Sequence, residues 1–388
     1  MKSLSVPSVD IDLYSNATLK NPQPVYRQIR DTGPLVWLPR HRMWAMGRFD
    51  DVREALRDDT TYLSKQGVAA NPIANALGRY TTLSSDSSTH LTRRMILMRS
   101  LTSRALSPSA DVFAAEAVET VERLLEQDSF DGVADFSARL PVQAVAELVG
   151  VKVTPHHMLR WAGATFDGLG PANLRSLSTF HRSLALYLYT LRLNRAAVKP
   201  GSWASSIFDA ADRGEISTIE AKNMIIDFVA PSLDTTILAT AQLLWSLGTV
   251  PGVWRQLRED PSLVPTAVVE AVRLASPIRG FTRMVAQNTE LHGIRLDRGE
   301  RVVLLYAAGN MDERHFDQPE RFTLNRRGSN LGWGHGIHTC VGMQLSKLEM
   351  QTLLHAMLPR VDTITVSDPV PVLNNTLQGF ASFTARFN

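Results

Sequence analysis

The chain has 388 residues, with 41 lysines and arginines against 38 aspartates and glutamates and a formal net charge of +3. So small a basic surplus argues against a dedicated nucleic-acid-binding protein. Cys340 is the one cysteine, which rules out an intrachain disulfide, and no apolar run follows the N-terminal lysine. Both features favour a cytoplasmic protein without a secretory signal.

Helical periodicity dominates the sequence. Apolar residues recur at spacings of three and four over residues 110–127 and 263–274, which is typical of amphipathic helices. Strand-like alternation is limited to residues 289–305, with Gly293 and Gly299 at turns, and to the C-terminal residues. Neither a repeat nor a linker divides the sequence. It therefore predicts a mainly α protein with small β-sheets, in a single domain over residues 1–388.

Basic side chains are paired on a predicted helix near residue 90. His90 and Arg94 are four residues apart, so they lie one above the other on one face. Such a pair can neutralise an anionic group of a ligand. The alternative is that they are solvated basic residues, which is our interpretation of Arg93 and Arg99.

A long apolar segment begins near residue 217. Residues 217–220 have the sequence of a helix capping box, and the Pro-Gly pair at 251–252 ends the helix. Roughly 30 residues lie between them, about 45 Å of helix at 1.5 Å per residue. Each charge at a bilayer centre costs about 2.5–3.5 kcal/mol, so Asp227 and Asp234 argue against a membrane span. We expect a core helix that crosses the globule.

Asp234 and Thr235 stand in the middle of this helix, close to Pro231. A buried acid is costly unless it has a partner, so its position calls for an explanation. We expect the Thr235 hydroxyl to bond the carbonyl of Pro231, while Pro231 cannot donate to the carbonyl of Asp227. The sequence predicts a kink with room for water or dioxygen. The alternative is a break at Pro231 followed by a helix that Asp234 caps.

Glu270 and Arg273 are three residues apart on the helix predicted over residues 263–274, so they share a face. Taken alone, the pair is most simply a surface ion pair worth under about 1 kcal/mol.

The strongest local pattern is the loop at residues 333–342, which precedes a helical run. Three glycines lie within nine residues of this loop, at 334, 336 and 342. They allow tight turns and the close approach of a flat partner. The N-terminus of the following helix favours the thiolate of Cys340. Thiolate is one of the few axial ligands of haem iron. The alternative is a buried structural thiol.

This loop resembles the haem loop of the cytochrome P-450 superfamily, aromatic-x-x-Gly-x-(His/Arg)-x-Cys-x-Gly. Gly336, His338, Cys340 and Gly342 match the pattern, and Trp333 stands where the family usually has phenylalanine. Residues 270–273 resemble the family's Glu-x-x-Arg helix, and residues 317–322 resemble the segment that supplies a third charged side chain. Residues 231–236 resemble the oxygen-activation groove, although Pro231 and Ser232 depart from its small residues. The motifs occur in the family's order over nearly the whole chain.

The resemblance implies a cytochrome P-450 fold, with the long central helix over a haem b (iron protoporphyrin IX). Cys340 would be the axial ligand of the iron. Glu270, Arg273 and Arg321 would form a buried charge network behind the thiolate loop. The remaining cofactor-binding residues would contact the haem propionates: His90, Arg94, Arg283 and His338.

The resemblance also implies a monooxygenase. It would insert one atom of dioxygen into a C–H bond of a small apolar, possibly aromatic, organic substrate by hydroxylation or oxidative O-demethylation. Asp234 and Thr235 would deliver protons. Electrons would come from a separate ferredoxin or flavodoxin and its reductase, for which Arg93, Arg99 and Lys347 are candidate docking residues.

The family topology would place six residues around the substrate: Phe166, Leu233, Ile278, Arg279, Phe281 and Phe380. Their side chains suggest an apolar, partly aromatic wall. Arg279 would bind a substrate carboxylate or else face solvent. The sequence around the cysteine loop looks like that of bacterial members that oxidise small aromatic acids or phenol ethers. Terpenoid, fatty-acid and biosynthetic-pathway substrates are the alternatives.

Two rival functions remain. A peroxide-driven peroxygenase would normally lack the acid–alcohol pair at residues 234–235. A non-catalytic haem-thiolate sensor would typically carry a signalling or DNA-binding module. A cysteine-nucleophile hydrolase fits poorly, because no base motif accompanies Cys340.

Overall fold

The computed structural model describes residues 6–388, and about 53% of the chain is helical. The helices are α1 (Asn16–Lys20), α2 (Gln23–Thr32), α3 (Phe49–Arg57), α4 (Pro72–Gly78), α5 (Ser87–Leu101), α6 (Ser103–Leu106), α7 (Ala110–Leu125), α8 (Arg139–Val149), α9 (Pro155–Leu169), α10 (Leu174–Arg192), α11 (Trp203–Asp212), α12 (Thr218–Met224), α13 (Ile226–Val229), α14 (Asp234–Thr249), α15 (Val253–Glu259), α16 (Val264–Ala275), α17 (Tyr306–Gly309) and α18 (Met343–Met357). The expectation of a mainly α protein is confirmed.

The strands are short and form three small sheets. They are β1 (Val36–Leu38), β2 (Met43–Met46), β3 (Tyr62–Leu63), β4 (Phe130–Asp131), β5 (Phe281–Val285), β6 (Thr289–Leu291), β7 (Ile294–Leu296), β8 (Arg301–Leu304), β9 (Ile364–Pro371) and β10 (Phe380–Phe387). One sheet has the order β1-β2-β8-β5-β3, in which only β2 and β8 pair in parallel. Strands β4, β10 and β9 form the second sheet, and β6 and β7 form a hairpin.

The predicted strand segments are confirmed, and the first five strands were not foreseen. Gly293 and Gly299 have φ angles of 77° and 90°, which L-residues with a side chain rarely adopt, so glycine suits both turns. Strands β1 to β5 have two to five residues each. So short a run cannot show a period-two pattern over several repeats, which is why the sequence does not reveal them.

The long apolar segment lies inside the protein. Residues 218–249 are long and apolar enough to cross a membrane, with an 18-residue window of mean hydropathy 1.3, but 67% of that window is buried within the structure. A core helix passes the same test of length and composition, and the burial matches that interpretation. The capping box at its start is present, because the Ser217 hydroxyl accepts from the Glu220 N–H and the Glu220 carboxylate accepts from the Ser217 N–H at 2.9 Å.

This segment is broken and not merely kinked. Helical structure stops after Val229 and resumes at Asp234, so the segment forms α12, α13 and α14. Thr235 Oγ1 donates to the Pro231 carbonyl at 2.8 Å, as predicted. Asp234 is the first residue of α14, and its side chain caps no N–H within residues 6–388, so the capping alternative is wrong. Pro231 lacks the N–H that would bond the Asp227 carbonyl, and its ring clashes with that carbonyl in a regular helix, which accounts for the break.

The core has a large helical cluster and two smaller clusters around the mixed sheet. Helices α7, α14, α16 and α18 pack in the large cluster. The loop that carries Cys340 lies between α3 and the start of α18, so it is fixed by both regions of the core.

Candidate active site

A cavity of about 350 Å³ opens in front of Cys340, and helices from both halves of the chain line it. On the side of the thiolate loop it is bordered by residues of α5 and of the loop 332–342. It is also bordered by α9, α10, α13 and the break at residues 230–232. The break thus exposes backbone and small side chains to the cavity, which a continuous helix would cover.

Two glycine conformations hold the thiolate loop in place. Gly334 and Gly336 have φ angles of 71° and 69°, and a Cβ at Gly336 would lie 2.2 Å from the carbonyl oxygen of Leu56. Only glycine can therefore bring the loop against the end of α3. The Cys340 N–H donates to the Trp333 carbonyl at 2.8 Å. Cys340 consequently enters the N-terminus of α18 with its thiol in the cavity.

Opposing effects act on the Cys340 thiol. Burial raises its pKa, whereas the N–H groups of Gly342 and Met343 and the guanidinium of Arg94 lower it. The sequence led us to expect a helix terminus that favours thiolate, and the donors for it are present. Burial is the largest of these effects, so the net shift of the pKa is upward. A coordinated metal ion has the opposite effect, because it deprotonates a thiol.

Four basic side chains ring the cavity beside this loop: His90, Arg94, Arg283 and His338. Arg94 reaches the loop directly, since its Nη1 donates to the Thr339 carbonyl at 2.7 Å. The rings of His90 and His338 lie 4.2 Å apart, centroid to centroid. Arg283 is 2% exposed. The structure therefore brings together all four residues that were predicted to contact haem propionates.

The two histidines differ in their partners. Nε2 of His90 is buried and has no hydrogen-bond partner within the described part of the chain, whereas Nε2 of His338 lies 3.7 Å from the Asp86 carboxylate. Burial, together with the nearby charges of His338 and Arg94, lowers the pKa of His90 to about 4, so it is neutral at pH 7. Buried polar atoms without partners are rare in folded proteins. A carboxyl group of a ligand in the cavity would supply a partner for His90.

Behind the thiolate loop lies a buried charge network. Arg273 makes two bonds of 2.8 Å to the Glu270 carboxylate, and both side chains are almost fully buried. The third member is Arg326, whose Nε lies 2.9 Å from Glu270 Oε1. Arg273 also donates to the Asn310 carbonyl at 2.7 Å. The interpretation of Glu270 and Arg273 as a surface pair is therefore wrong.

The assignment of Arg321 to this network is also wrong. Its guanidinium donates to the side chain of Gln318 near the surface, and only its backbone carbonyl contacts the network, accepting from Arg326 at 3.1 Å. The bend of the chain after Phe322 turns Arg326 inward, where it lies over the ring of Phe316. Spacing along the sequence does not reveal such a bend.

Asp234 and Thr235, the predicted acid–alcohol pair, point in different directions. Thr235 and Thr236 line the cavity. Asp234 is directed toward α9, where its Oδ2 would lie 3.6 Å from a Cβ built on Gly163 and has no partner within residues 6–388. Burial, and the charge of Asp167 on α9, raise the pKa of Asp234 to about 7. Burial likewise raises the pKa of Asp167 to about 6.

Three of the six predicted pocket residues line the cavity, namely Phe166, Ile278 and Phe281. Leu233 is fully buried in the helical core instead. Phe380 packs against Trp245, with ring centroids 5.0 Å apart. These two side chains face the core because the break and the β9–β10 turn rotate them away from the cavity.

Arg279 neither lines the cavity nor faces solvent. It is 5% exposed, and its guanidinium donates to the carbonyls of Leu377 and Leu19 and to the side chain of Gln378. All its donors on the described residues are directed at fixed protein groups. Arg279 therefore ties the N-terminal segment to the C-terminal loop, and the expectation that it binds a carboxylate is wrong.

The predicted docking residues are mostly engaged in contacts within the chain. Arg93 is buried and pairs with Glu220 at 2.8 Å, so it is not available at the surface. Arg99 is partly exposed and pairs with Glu215 at 2.7 Å. Lys347 lies over the ring of Trp333, 4.9 Å from its centroid. Lys347 and Arg99 retain surface positions from which a partner could be contacted.

The sequence reasoning missed a carboxylate in the cavity wall and most of the contribution of α10. Asp227 lines the cavity, although we considered it only as an argument against a membrane span. Helical spacing would have revealed it, because Ala230 and Pro231 follow it by three and four residues on the same face. Phe180 and Tyr187 of α10 also line the cavity and carry no recognisable motif.

The chain is 30% identical over 385 residues to cytochrome p450 CYP199A2 of Rhodopseudomonas palustris, and the match covers 97% of this chain and 93% of that protein. The chain belongs to the cytochrome P-450 family. The family model described as cytochrome P-450 matches residues 204–385. The family's members are generally monooxygenases that bind haem and use dioxygen with redox partners, and this cytochrome P-450 is an oxidoreductase of that kind.

Solved structures match the same fold. CYP108D1 from Novosphingobium aromaticivorans is 21% identical, with a TM-score of 0.79 and 96% of each chain covered. A cytochrome P-450 named CREJ, solved in complex with (4-ethylphenyl) dihydrogen phosphate, is 21% identical with a TM-score of 0.86, covering 95% of this chain and 98% of that one. At such identities the likeness concerns the fold, and the predicted cytochrome P-450 fold is confirmed.

The residues around the cavity fit a haem. A thiol and four basic side chains line the same space, and one of these side chains, His90, has an unpaired imidazole nitrogen. Thiolate is a known axial ligand of haem iron, and basic side chains suit its carboxylates.

Proposed function

We propose that this cytochrome P-450 inserts one atom of dioxygen into a C–H bond of a small, apolar, partly aromatic organic molecule. One observation carries the proposal. The Cys340 thiol and the Thr235 hydroxyl open into the same cavity, whose other walls include the rings of Phe166 and Phe281. A largely apolar lining with a few polar groups is typical of sites that bind cofactors and small organic molecules.

The cofactor in this proposal is haem b. Cys340 would bind its iron, and His90, Arg94, Arg283 and His338 would bind its carboxylates. When bound, the haem supplies the oxidising chemistry, while the protein supplies position and electrostatics. Because Arg94 also holds the Thr339 carbonyl, carboxylate binding and the position of the thiolate loop are linked through one side chain.

The protein's own task is to manage protons beside the cavity. The Thr235 hydroxyl donates its hydrogen to the Pro231 carbonyl. Its oxygen can therefore still accept a hydrogen bond from a molecule in the cavity. Asp234, with a pKa of about 7, can hold or release a proton at neutral pH. Because Asp234 faces α9 and not the cavity, we infer that a water molecule at the break carries the proton between them.

The reaction in this proposal is hydroxylation or oxidative O-demethylation in the cytoplasm. Electrons would come from a ferredoxin or flavodoxin with its reductase, and Lys347 and Arg99 are the remaining basic candidates for docking an acidic partner.

The decisive experiment is the spectrum of the reduced holoprotein under carbon monoxide. We expect the far-red-shifted Soret band of a thiolate-ligated haem, and Cys340→Ser should lose it. A wild-type band typical of histidine ligation would overturn the ligand assignment. Turnover should require ferredoxin and reductase in addition to reduced nicotinamide cofactor. Equal turnover with hydrogen peroxide alone would favour a peroxygenase, and no turnover with any oxidant would favour a sensor.

A further inference from the structure

The charges around the cavity are unevenly distributed. The four basic side chains lie beside the thiolate loop. A carboxylate, that of Asp227, lines the cavity from the short helix α13, which packs against α10. The residues of α10 that line the cavity have uncharged side chains, among them Phe180, Ser183 and Tyr187. A single acid in an apolar, aromatic wall marks where a ligand's polar group would lie.

Asp227 is only partly satisfied by the protein. Its Oδ2 accepts from the Thr82 N–H at 2.8 Å, and the Thr82 side chain also lies close enough to lower the pKa of Asp227. A carboxylate offers about four acceptor sites. Burial raises the pKa of Asp227 to about 6, so most of it is ionised at pH 7.5. A half-buried negative charge in a largely apolar cavity wall is costly unless a cation or a further donor approaches it.

The nearest cation does not neutralise Asp227. The guanidinium of Arg93 lowers the pKa of Asp227 through space, but its nitrogens donate to the Thr81 carbonyl and to Glu220. Arg93 therefore already has its own carboxylate partner at 2.8 Å. If Asp227 only anchored the loop at Thr82, an asparagine at this position would suffice. Its neutral amide oxygen would accept the same N–H without removing a charge from water.

We propose that Asp227 binds the positively charged group of an organic ammonium substrate, whose apolar part lies against Phe180, Phe166 and Phe281. Aromatic faces favour cations, and together with one carboxylate they form a site suited to an alkylammonium group. The inference rests on the proposed function only in that the occupant is the molecule to be oxidised. It also implies that aromatic carboxylates bind poorly, because Asp227 repels them and Arg279 is occupied elsewhere.

The test uses the haem-loaded protein and a matched pair of ligands. Benzyltrimethylammonium and neopentylbenzene have the same shape and differ by one charge. The quaternary nitrogen has no lone pair, so it cannot bind iron directly. Affinities are measured by calorimetry and by the low-to-high-spin shift of the Soret band. We expect the ammonium ion to bind at least about tenfold more tightly than the neutral compound.

Two variants locate the effect. Asp227→Asn keeps the shape and the acceptor for Thr82 while removing the charge, and it should abolish the preference for the cation without changing the affinity for neopentylbenzene. Ser183→Ala removes a polar group from the neighbouring α10 wall and should keep the preference. The carbon monoxide spectrum and thermal unfolding verify that each variant is folded and loaded.

Either of two results would overturn the inference: equal affinity of the wild type for both ligands, or an unchanged preference in Asp227→Asn. The first comparison needs no variant, so it decides even if Asp227→Asn fails to fold. A protein that binds the cation but oxidises nothing keeps this inference and loses the proposed function. A protein that oxidises neutral aromatics and ignores the cation keeps the function and loses the inference.

Discussion

Two regions beside the cavity treat charge in opposite ways. Behind the thiolate loop, Glu270 receives hydrogen bonds from both Arg273 and Arg326, all within 2.9 Å. Around the helix break, Asp227 and Asp234 are half-buried with few donors, and the pKa of each is raised, to about 6 and about 7. Fully paired charges hold the chain in one arrangement, whereas incompletely paired charges keep capacity for a ligand or a proton.

The difference follows from backbone geometry. The thiolate side is built on regular helices, α16 and α18, and on a loop fixed by glycine. The opposite side is interrupted at residues 230–233, where α13 and α14 cannot share helical hydrogen bonds. Paired charges therefore belong to the part of the site that must not move. Unpaired acids lie at the interruption, where water and ligands can reach them.

The largest effect should come from breaking the paired network. Glu270→Ala leaves Arg273 buried without its carboxylate, and removing one partner of a buried pair costs about 3–5 kcal/mol. We expect loss of haem and a large fall in the free energy of unfolding, measured by chemical denaturation. Arg321→Ala is the matched control and should change stability by no more than about 0.5 kcal/mol. Equal effects of the two variants would show that Arg321 belongs to the network after all.

The next prediction concerns Asp234 and Thr235 at the helix break, where the acids are unpaired. If the Asp234 carboxyl supplies the proton and limits the rate, Asp234→Asn should lower turnover by a factor of about 100 to 10,000. Thr235→Ala should keep substrate affinity but form less product per nicotinamide cofactor oxidised. Thr236→Ala, on the same helix and also facing the cavity, is the control and should keep this ratio. Unchanged coupling in Thr235→Ala and an unchanged rate in Asp234→Asn would make the pair structural.

The pH dependence sharpens the comparison. Burial and the charge of Asp167 raise the pKa of Asp234 to about 7, so the carboxyl is protonated below that pH and loses its proton above it. The turnover rate should fall as the pH rises through about 7. Asp167→Asn removes one cause of the raised pKa and should move this fall to lower pH. A pH profile that is unchanged in Asp167→Asn would show that the charge of Asp167 does not affect the titration of Asp234.

Glu349 is an exception to the contrast between the two regions, because it is an unpaired acid on the thiolate side. Its replacement should have a smaller effect than the changes above. It is buried in α18, and neither of its oxygens has a partner among residues 6–388. Burial raises its pKa well above the ordinary value of 4.5, so the unfolded chain loses the proton first and stability falls as the pH rises above about 4.5. Glu349→Met should add roughly 1–3 kcal/mol at pH 8 and much less at pH 4.

The control for Glu349 is Glu126→Met at an exposed position of the same protein. Thermal unfolding of both variants at pH 4 and pH 8 measures the difference. A gain in Glu349→Met that is the same at both pH values would show that packing, and not the buried acid, is responsible.

Local chemistry alone determined much of this cytochrome P-450. The glycines around Cys340, the capping box at Ser217 and the hydrogen bond from Thr235 to Pro231 each depend on a few neighbouring residues, so the sequence was sufficient to predict them. The order of the motifs along the chain then identified the fold and the thiolate loop.

Tertiary structure alone decided which distant side chains meet. Arg326 and not Arg321 completes the network, Arg279 is bound to the N-terminal segment, and Asp234 faces α9 while Asp227 faces the cavity. Each outcome depends on a bend or rotation of the backbone, set by packing between residues far apart in the chain. A rotation of one residue turns a helical side chain by about 100°, which no local pattern at a broken helix can determine.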